Sequence, residues 1–189
     1  MTNFLEILQQ NESETVLLDQ LKSAYETTSW DERSAMLHAQ HDCAFIVACE
    51  KGHLEIAKWL MGLCKTPKEQ SAMLHTKDYA AFLMAYGKGR QRVAEWLLGL
   101  CQTAEERSAM LHTRDDVAFG WACEKGHLDI AKWLWGLCQT VEEQYAMFHA
   151  KDNYAFRVAC EKGHIELAKW LWAICPDQEQ STMLHANDN

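Results

Sequence analysis

Eight cysteines and nine histidines are the residues with most to offer chemically in this chain of 189. Thiolate and imidazole are common zinc ligands, and a cysteine beside a histidine is a common nucleophile and base. Spacing decides which of these is open to them. Cys64, Cys101, Cys138 and Cys175 stand 37 residues apart, as do His38, His75, His112 and His149, with His185 one residue early. Structural zinc sites gather four ligands within about 2–2.3 Å of the ion, usually through short Cys-x-x-Cys spacings, and none occurs here. Members of one ladder fall on successive copies of a repeat, roughly one helix diameter of 10 Å apart, too far to share an ion. Disulfides between them fail on the same ground, because bridging needs Cα atoms within about 7 Å. Cys43 and Cys49 are six apart on one helical stretch and cannot close either. The expectation is free cysteines, with Cys49, Cys123 and Cys160 serving as small apolar residues, and no metal or cofactor.

The histidines have equally plain uses. His53, His127 and His164 precede helical stretches and serve their backbones. His75, His112 and His149 end helices, where a cation suits the dipole. An active site is a singular feature needing nucleophile and base in one pocket. A constellation repeated along the chain argues against one, and the chain is expected not to be an enzyme. The Gly87-Lys88-Gly89-Arg90 string lacks both the preceding strand and the spacing of a phosphate loop.

The elements that carry these ladders form one repeat. Phe45, Phe82, Phe119 and Phe156 keep the 37-residue step, as do Gly52, Gly89, Gly126 and Gly163, and Trp59, Trp96, Trp133 and Trp170. Each copy reads as three helices. Asp78, Asp115 and Asp152 are placed to cap the inner helix, which stops at the ladder glycine. An outer helix with apolar positions such as Val93, Ala94, Trp96, Leu97 and Leu100 follows. A capping-box pattern then opens a short third helix: Ser29/Glu32, Thr66/Glu69, Thr103/Glu106 and Thr140/Glu143. Pro67 suits the first helical position. Nothing alternates with period two, so no strand is expected. Phe and Trp ladders are the expected glue between copies, because a single copy cannot bury its own apolar faces.

The segments ACEKGHLEIAKWL (48–60), ACEKGHLDIAKWL (122–134) and ACEKGHIELAKWL (159–171) resemble the helix–turn–helix of the ankyrin repeat, whose outer helix opens on Gly-His followed by Leu-Glu. The resemblance covers residues 42–175. It departs where that family has Thr-Pro-Leu-His. Here stand Cys43-Ala44-Phe45-Ile46, Ala80-Ala81-Phe82-Leu83, Val117-Ala118-Phe119-Gly120 and Tyr154-Ala155-Phe156-Arg157. The copy is also four residues longer than the family's 33, and a helix-forming stretch replaces its β-hairpin finger. The resemblance implies an all-α, ankyrin-like α-solenoid. On this reading residues 1–189 form one domain: a helical N-terminal cap and partial repeat (1–40), then repeats 41–77, 78–114, 115–151 and 152–189. Phe4, Leu5, Ile7 and Leu8 form one apolar stripe of the cap, and Val16, Leu17, Leu18 and Leu21 another. Met183 and Leu184 would close the far end, before Asn187-Asp188-Asn189. Similar divergent repeats occur in intracellular bacterial pathogens and large DNA viruses. The resemblance therefore implies a protein-binding adaptor, an effector in the cytoplasm (the host's, in that case) or a fragment of one.

Charge and hydropathy limit the partners. The net charge is −9, whereas nucleic acids and anionic membranes attract a basic face. No basic-then-apolar leader is present, and no apolar run reaches the roughly 18 residues of a membrane span. Only residues 41–114 are slightly positive. The expected partner is another protein with an acidic contact surface, bound by a chain that is itself monomeric. Shared repeat positions specify the stack, so positions that differ between copies are free to specify a partner. The second copy reads Tyr86-Gly87-Lys88-Gly89-Arg90-Gln91-Arg92 where the others read Cys-Glu-Lys-Gly-His-Leu/Ile-Glu/Asp. With Tyr79, Trp121 and Arg157, the residues Tyr86, Arg90 and Arg92 make the candidate partner-binding set, in types enriched at interface hot spots. A self-assembling module, or the targeting arm of a larger enzyme, is the alternative.

Overall fold

The computed structural model describes residues 4–175, so Met183, Leu184, His185 and the terminal Asn187-Asp188-Asn189 lie outside the described residues. The architecture is all-α: twelve helices and no strand among the described residues. The chain divides into two compact units between Met110 and Leu111.

The N-terminal unit holds α1 (Phe4–Leu8), α2 (Glu14–Thr27), α3 (Trp30–Leu37), α4 (Ala39–Lys51), α5 (Leu54–Gly62), α6 (Pro67–Gly87), α7 (Gln91–Gly99) and most of α8 (Ala104–Leu111). The C-terminal unit holds α9 (Thr113–Glu124), α10 (Leu128–Leu137), α11 (Val141–Glu161) and α12 (Ile165–Ile174). The inner helices α4 and α6 pack together in the first unit, and α9 and α11 in the second. Small side chains permit that approach: Ala44, Ala48, Ala81 and Ala85 are buried in one unit, and Ala118, Ala122, Ala155 and Ala159 in the other. In the cap, Phe4, Ile7, Leu8, Leu17 and Leu21 are buried, whereas Val16 is exposed. The Glu14 carboxylate accepts from the backbone N–H of Glu55 at 2.8 Å, placing an anion at the positive end of α5.

Local sequence accounts for most helix ends. Thr66, Thr103 and Thr140 accept through Oγ1 from the N–H of Glu69, Glu106 and Glu143 at 3.2, 3.1 and 3.1 Å. Each glutamate reaches back to the N–H one residue before the cap, that of Lys65, Gln102 or Gln139. Ser29 departs from this, since its hydroxyl donates to the Glu32 carboxylate and not to the helix.

Asp78, Asp115 and Asp152 do not cap the inner helices as the sequence suggests. They sit in the middle of left-handed turns, Lys77–Tyr79, Arg114–Asp116 and Lys151–Asn153, with φ between +51° and +58°; Gln40–Asp42 form the same turn. The third helix of one copy thus runs into the inner helix of the next through a single reversed turn, merging both into α6 and α11. Left-handed backbone costs an ordinary residue roughly 1–2 kcal/mol. Asp and Asn tolerate it best because their short side chains find local hydrogen bonds. The ladder histidine supplies one. His38, His112 and His149 each bond through Nδ1 to a side-chain oxygen four residues on, Asp42, Asp116 or Asn153, at 2.6 Å. Their role is to bridge this turn as much as to complement a dipole.

The ladder glycines take φ between +71° and +83°. Gly126 and Gly163 offer an internal comparison, because both have φ +72° but only one is crowded. A Cβ on Gly126 would stand 2.6 Å from the His164 ring, which donates to the Glu124 carbonyl at 2.9 Å; a Cβ on Gly163 would meet nothing within 4 Å. Gly163→Ala is expected to cost about 1 kcal/mol through backbone strain alone. Gly126→Ala should cost about 1 kcal/mol more, since it also displaces a hydrogen-bonded ring. Denaturant midpoints for the two variants check the difference, and equal values would remove the ring contact.

The aromatic ladders divide in depth. Phe45, Phe82 and Phe119 are buried, whereas Trp59, Trp96, Trp133 and Trp170 are half-buried. Each inner phenylalanine meets the tryptophan of the following copy where both lie in one unit: Phe45 and Trp96 at 6.3 Å between centroids, Phe119 and Trp170 at 6.4 Å. Phe45, Phe82 and Phe119 are in the core, and the tryptophans close it from outside, with Phe156 half-buried like them.

Candidate functional site

All eight cysteines are free. Burial pushes the Cys49 thiol far above its usual range and that of Cys123 up to about 12. Cys64 and Cys101 are raised to about 11, by burial first and nearby carboxylates second. A thiol held this high stays protonated at neutral pH and is a poor nucleophile.

Of the candidate contact residues, two are removed by burial. Tyr79 is 8% exposed and lies in a left-handed turn with its ring 4.7 Å from that of His75. Tyr86 is 6% exposed and packs beside Phe82. Their aromatic character serves the core, so neither can form a contact surface in this conformation. Arg90 and Arg92 are exposed in the N-terminal unit. Arg90 stands where His164 stands in its own repeat and does similar work: its Nε donates to the Glu50 carbonyl at 3.3 Å, as His164 does to Glu124. Its remaining guanidinium nitrogens and the whole of Arg92 are the part left for a partner. Arg157 is exposed and donates to the Asp152 carbonyl at 3.4 Å, which ties it to its own turn.

Trp121 has the most informative surroundings. It is half-buried on α9 and lines a cleft of about 240 Å³ between α9 and α11, wholly within the C-terminal unit. Two small residues open this cleft. Gly120 stands where other copies have Ile46, Leu83 and Arg157, and the Tyr154 ring fills that vacated flank so closely that a Cβ on Gly120 would lie 3.0 Å from it. Ala150, like Ala39, stands where Thr76 and Thr113 occur. In the N-terminal unit the Thr76 hydroxyl donates to Asp42 Oδ2 at 2.6 Å. The corresponding carboxylate, Asp116, has only the methyl group of Ala150 at that place.

The floor of the cleft is therefore polar and its walls aromatic. Asp116 is 6% exposed, with Oδ1 bonded to His112. Phe119, Trp121, Tyr154 and Met147 form the walls, and Asp115 and Lys151 stand at the rim. Tyr154 donates through its hydroxyl to Glu124 at 3.3 Å, and burial raises its phenol above the usual range. A cleft of this composition suits a group with an apolar body and a hydrogen-bond donor at its tip, because the floor carboxylate accepts and the walls are apolar. No family model matches the chain, and no curated protein matches it. The ankyrin resemblance rests on the motifs of residues 42–175 alone.

The cleft could have been sought in the sequence. Gly120 is a deviation from its ladder as visible as Trp121, but a residue smaller than its counterparts draws less notice than a larger one, and Ala150 shares its type with Ala39. Members of one ladder do not converge, but members of three different ladders do: a ring nitrogen of His112, Cys138 Sγ and a Glu143 carboxylate oxygen all lie within 4.8 Å of one another. They come from successive copies, 26 and 31 residues on from the histidine, offsets that a search at the repeat period does not test. Among the described residues no helix is long and apolar enough to cross a membrane.

Proposed function

We propose that the chain is a protein-interaction module, an ankyrin-like α-solenoid of four 37-residue repeats behind an N-terminal cap, with no catalytic role of its own. A partner protein is held through the inner-helix face. The observation that carries this reading is the cleft at Trp121, an aromatic slot over a buried acceptor, with no hydroxyl at Ala150 to cover the Asp116 carboxylate as Thr76 covers Asp42. Its occupant is a partner side chain with an apolar body and a donor tip. A second contact, in the N-terminal unit, sets an acidic partner surface against Arg92 and the outer nitrogens of Arg90. This is the role expected of an adaptor, or of an effector acting in a host cytoplasm.

The test is selection of binding peptides from a random library on the whole chain, followed by affinity measurement on variants. Trp121→Ala should weaken the selected peptides at least tenfold, the loss of one hot-spot aromatic. Ala150→Thr should do the same without lowering stability, because its hydroxyl occupies the Asp116 carboxylate as Thr76 occupies Asp42. Arg90→Glu with Arg92→Glu should weaken acidic peptides alone. Binders indifferent to all of these, with circular dichroism unchanged, end the proposal.

A further inference from the structure

We propose that His112, Cys138 and Glu143 bind a single zinc-class divalent ion in the C-terminal unit, at a site that adjoins the partner cleft through Asp116 and Met147. An imidazole nitrogen, a thiolate and a carboxylate oxygen are the ligands zinc takes in proteins, and three of them with water in the fourth position complete a tetrahedron. The three donor atoms already lie within 4.8 Å of one another. Two atoms bound to one zinc at about 2.0–2.3 Å in tetrahedral geometry stand roughly 3.3–3.8 Å apart, so small side-chain movements complete the set.

The His112 ring is prepared for this role. Its Nδ1 is engaged by Asp116 at 2.6 Å, and its Nε2 is buried without a hydrogen-bond partner. A carboxylate on the far nitrogen is the usual support of a metal-binding histidine, because it fixes the ring's orientation and leaves the other nitrogen to the ion. Cys138 Sγ faces the His112 ring and has weak contacts to the Leu134 carbonyl at 3.9 Å and Met147 Sδ at 4.0 Å. Glu143 accepts from the Gln139 N–H through Oε2, and a carboxylate ligating through one oxygen keeps such a bond on the other. Binding displaces the thiol proton, and any proton on Nε2, to solvent.

The same ladder positions recur as His38, Cys64, Glu69 and as His75, Cys101, Glu106, yet among the described residues only the His112 group converges this closely. The His75 set shows why. Tyr79 stands where Asp116 stands, so His75 Nδ1 bonds its own helix at the Ser71 carbonyl, and Nε2 lies 3.7 Å from Glu106. The bound ion would join the start of α9, the end of α10 and the first turn of α11, and so staple the unit.

The experiment uses the whole chain, reduced and stripped by a chelator, titrated with zinc alone by calorimetry and with cobalt alone by absorbance. Expected are one equivalent of zinc, thiolate-to-cobalt charge-transfer absorption, and a melting temperature raised by roughly 5–10 °C at a hundredfold excess over Kd. Cys138→Ser and His112→Gln should weaken binding at least tenfold, and Asp116→Asn by about 10–100-fold, as loss of a supporting carboxylate does. Cys101→Ser should bind like the parent. No binding by the parent, cobalt spectra without thiolate charge transfer, or affinity unmoved by Cys138→Ser would overturn the proposal. The cobalt spectrum of the parent decides the matter even if a variant fails to fold.

Discussion

Replacing Phe119 by alanine is expected to lower stability by about 3–5 kcal/mol, the range for removing a large aromatic from a close-packed core. Phe119 is 1% exposed and lies between two tryptophans, with centroids 6.3 Å from Trp135 and 6.4 Å from Trp170, which are themselves edge-on at 6.1 Å. Its removal leaves a cavity that three helices border, and the stiff backbone of those helices prevents full collapse. Trp133→Ala should cost about half as much, because Trp133 is half-buried and part of its ring already faces water. Denaturant unfolding followed by tryptophan fluorescence measures both, since Trp135 and Trp170 report directly on the neighbourhood. A Phe119→Ala loss below about 1 kcal/mol, or one smaller than that of Trp133→Ala, would contradict the division of the two ladders into core and rim.

Asp116→Ala is expected to cost about 2–3 kcal/mol, somewhat less than the 3–5 of a fully buried pair because the His112 side chain is 19% exposed. Asp116 accepts from His112 at 2.6 Å, and this bond, with the Cys138 sulfur adding to it, holds the imidazole up to about 10. Alanine removes the acceptor and leaves the Nδ1–H of a largely buried ring without its partner. Asn should cost less, because Asn153 keeps the same 2.6 Å bond to His149. The sign with pH follows from a folded value raised above the ordinary 6.5. The pair's contribution is fully present below about pH 6.5 and is lost as pH rises toward 10. Proton NMR of the His112 ring in metal-free protein checks this directly. The ring should remain protonated through pH 8 in the parent and titrate lower in Asp116→Asn; a parent ring titrating near 6.5 would refute the pair.

Much of the fold was legible because it repeats. Thr66, Thr103 and Thr140 cap their helices as their spacing implies, since a cap depends on residues within one turn of each other. The reversed turn at Lys77–Tyr79 was not legible. Asp in the middle of such a turn is as good a helix cap as it is a left-handed residue, and the histidine bond that marks the turn in three other places falls on the next residue, Asp42, Asp116 or Asn153, and is missing where Tyr79 stands. Tyr79 and Tyr86 were misjudged for a related reason: an aromatic is equally suited to a core and to an interface, and burial is not encoded in its type.

The candidate site divides along the same line. Position-by-position comparison of copies singles out Trp121 and Gly120, because a repeat makes its own exceptions visible, whereas Ala150 has Ala39 as its counterpart and does not stand out. That Gly120 admits the Tyr154 ring, that Ala150 bares the Asp116 carboxylate, and that His112 meets Cys138 and Glu143 are facts of packing between successive copies. The period and helical caps are local properties, expressed in side chains a few bonds apart and so determined by the sequence alone. The cleft and the ligand cluster depend on which residues of neighbouring copies are pressed together, and only the tertiary structure, through the approach of α9, α10 and α11, decides that.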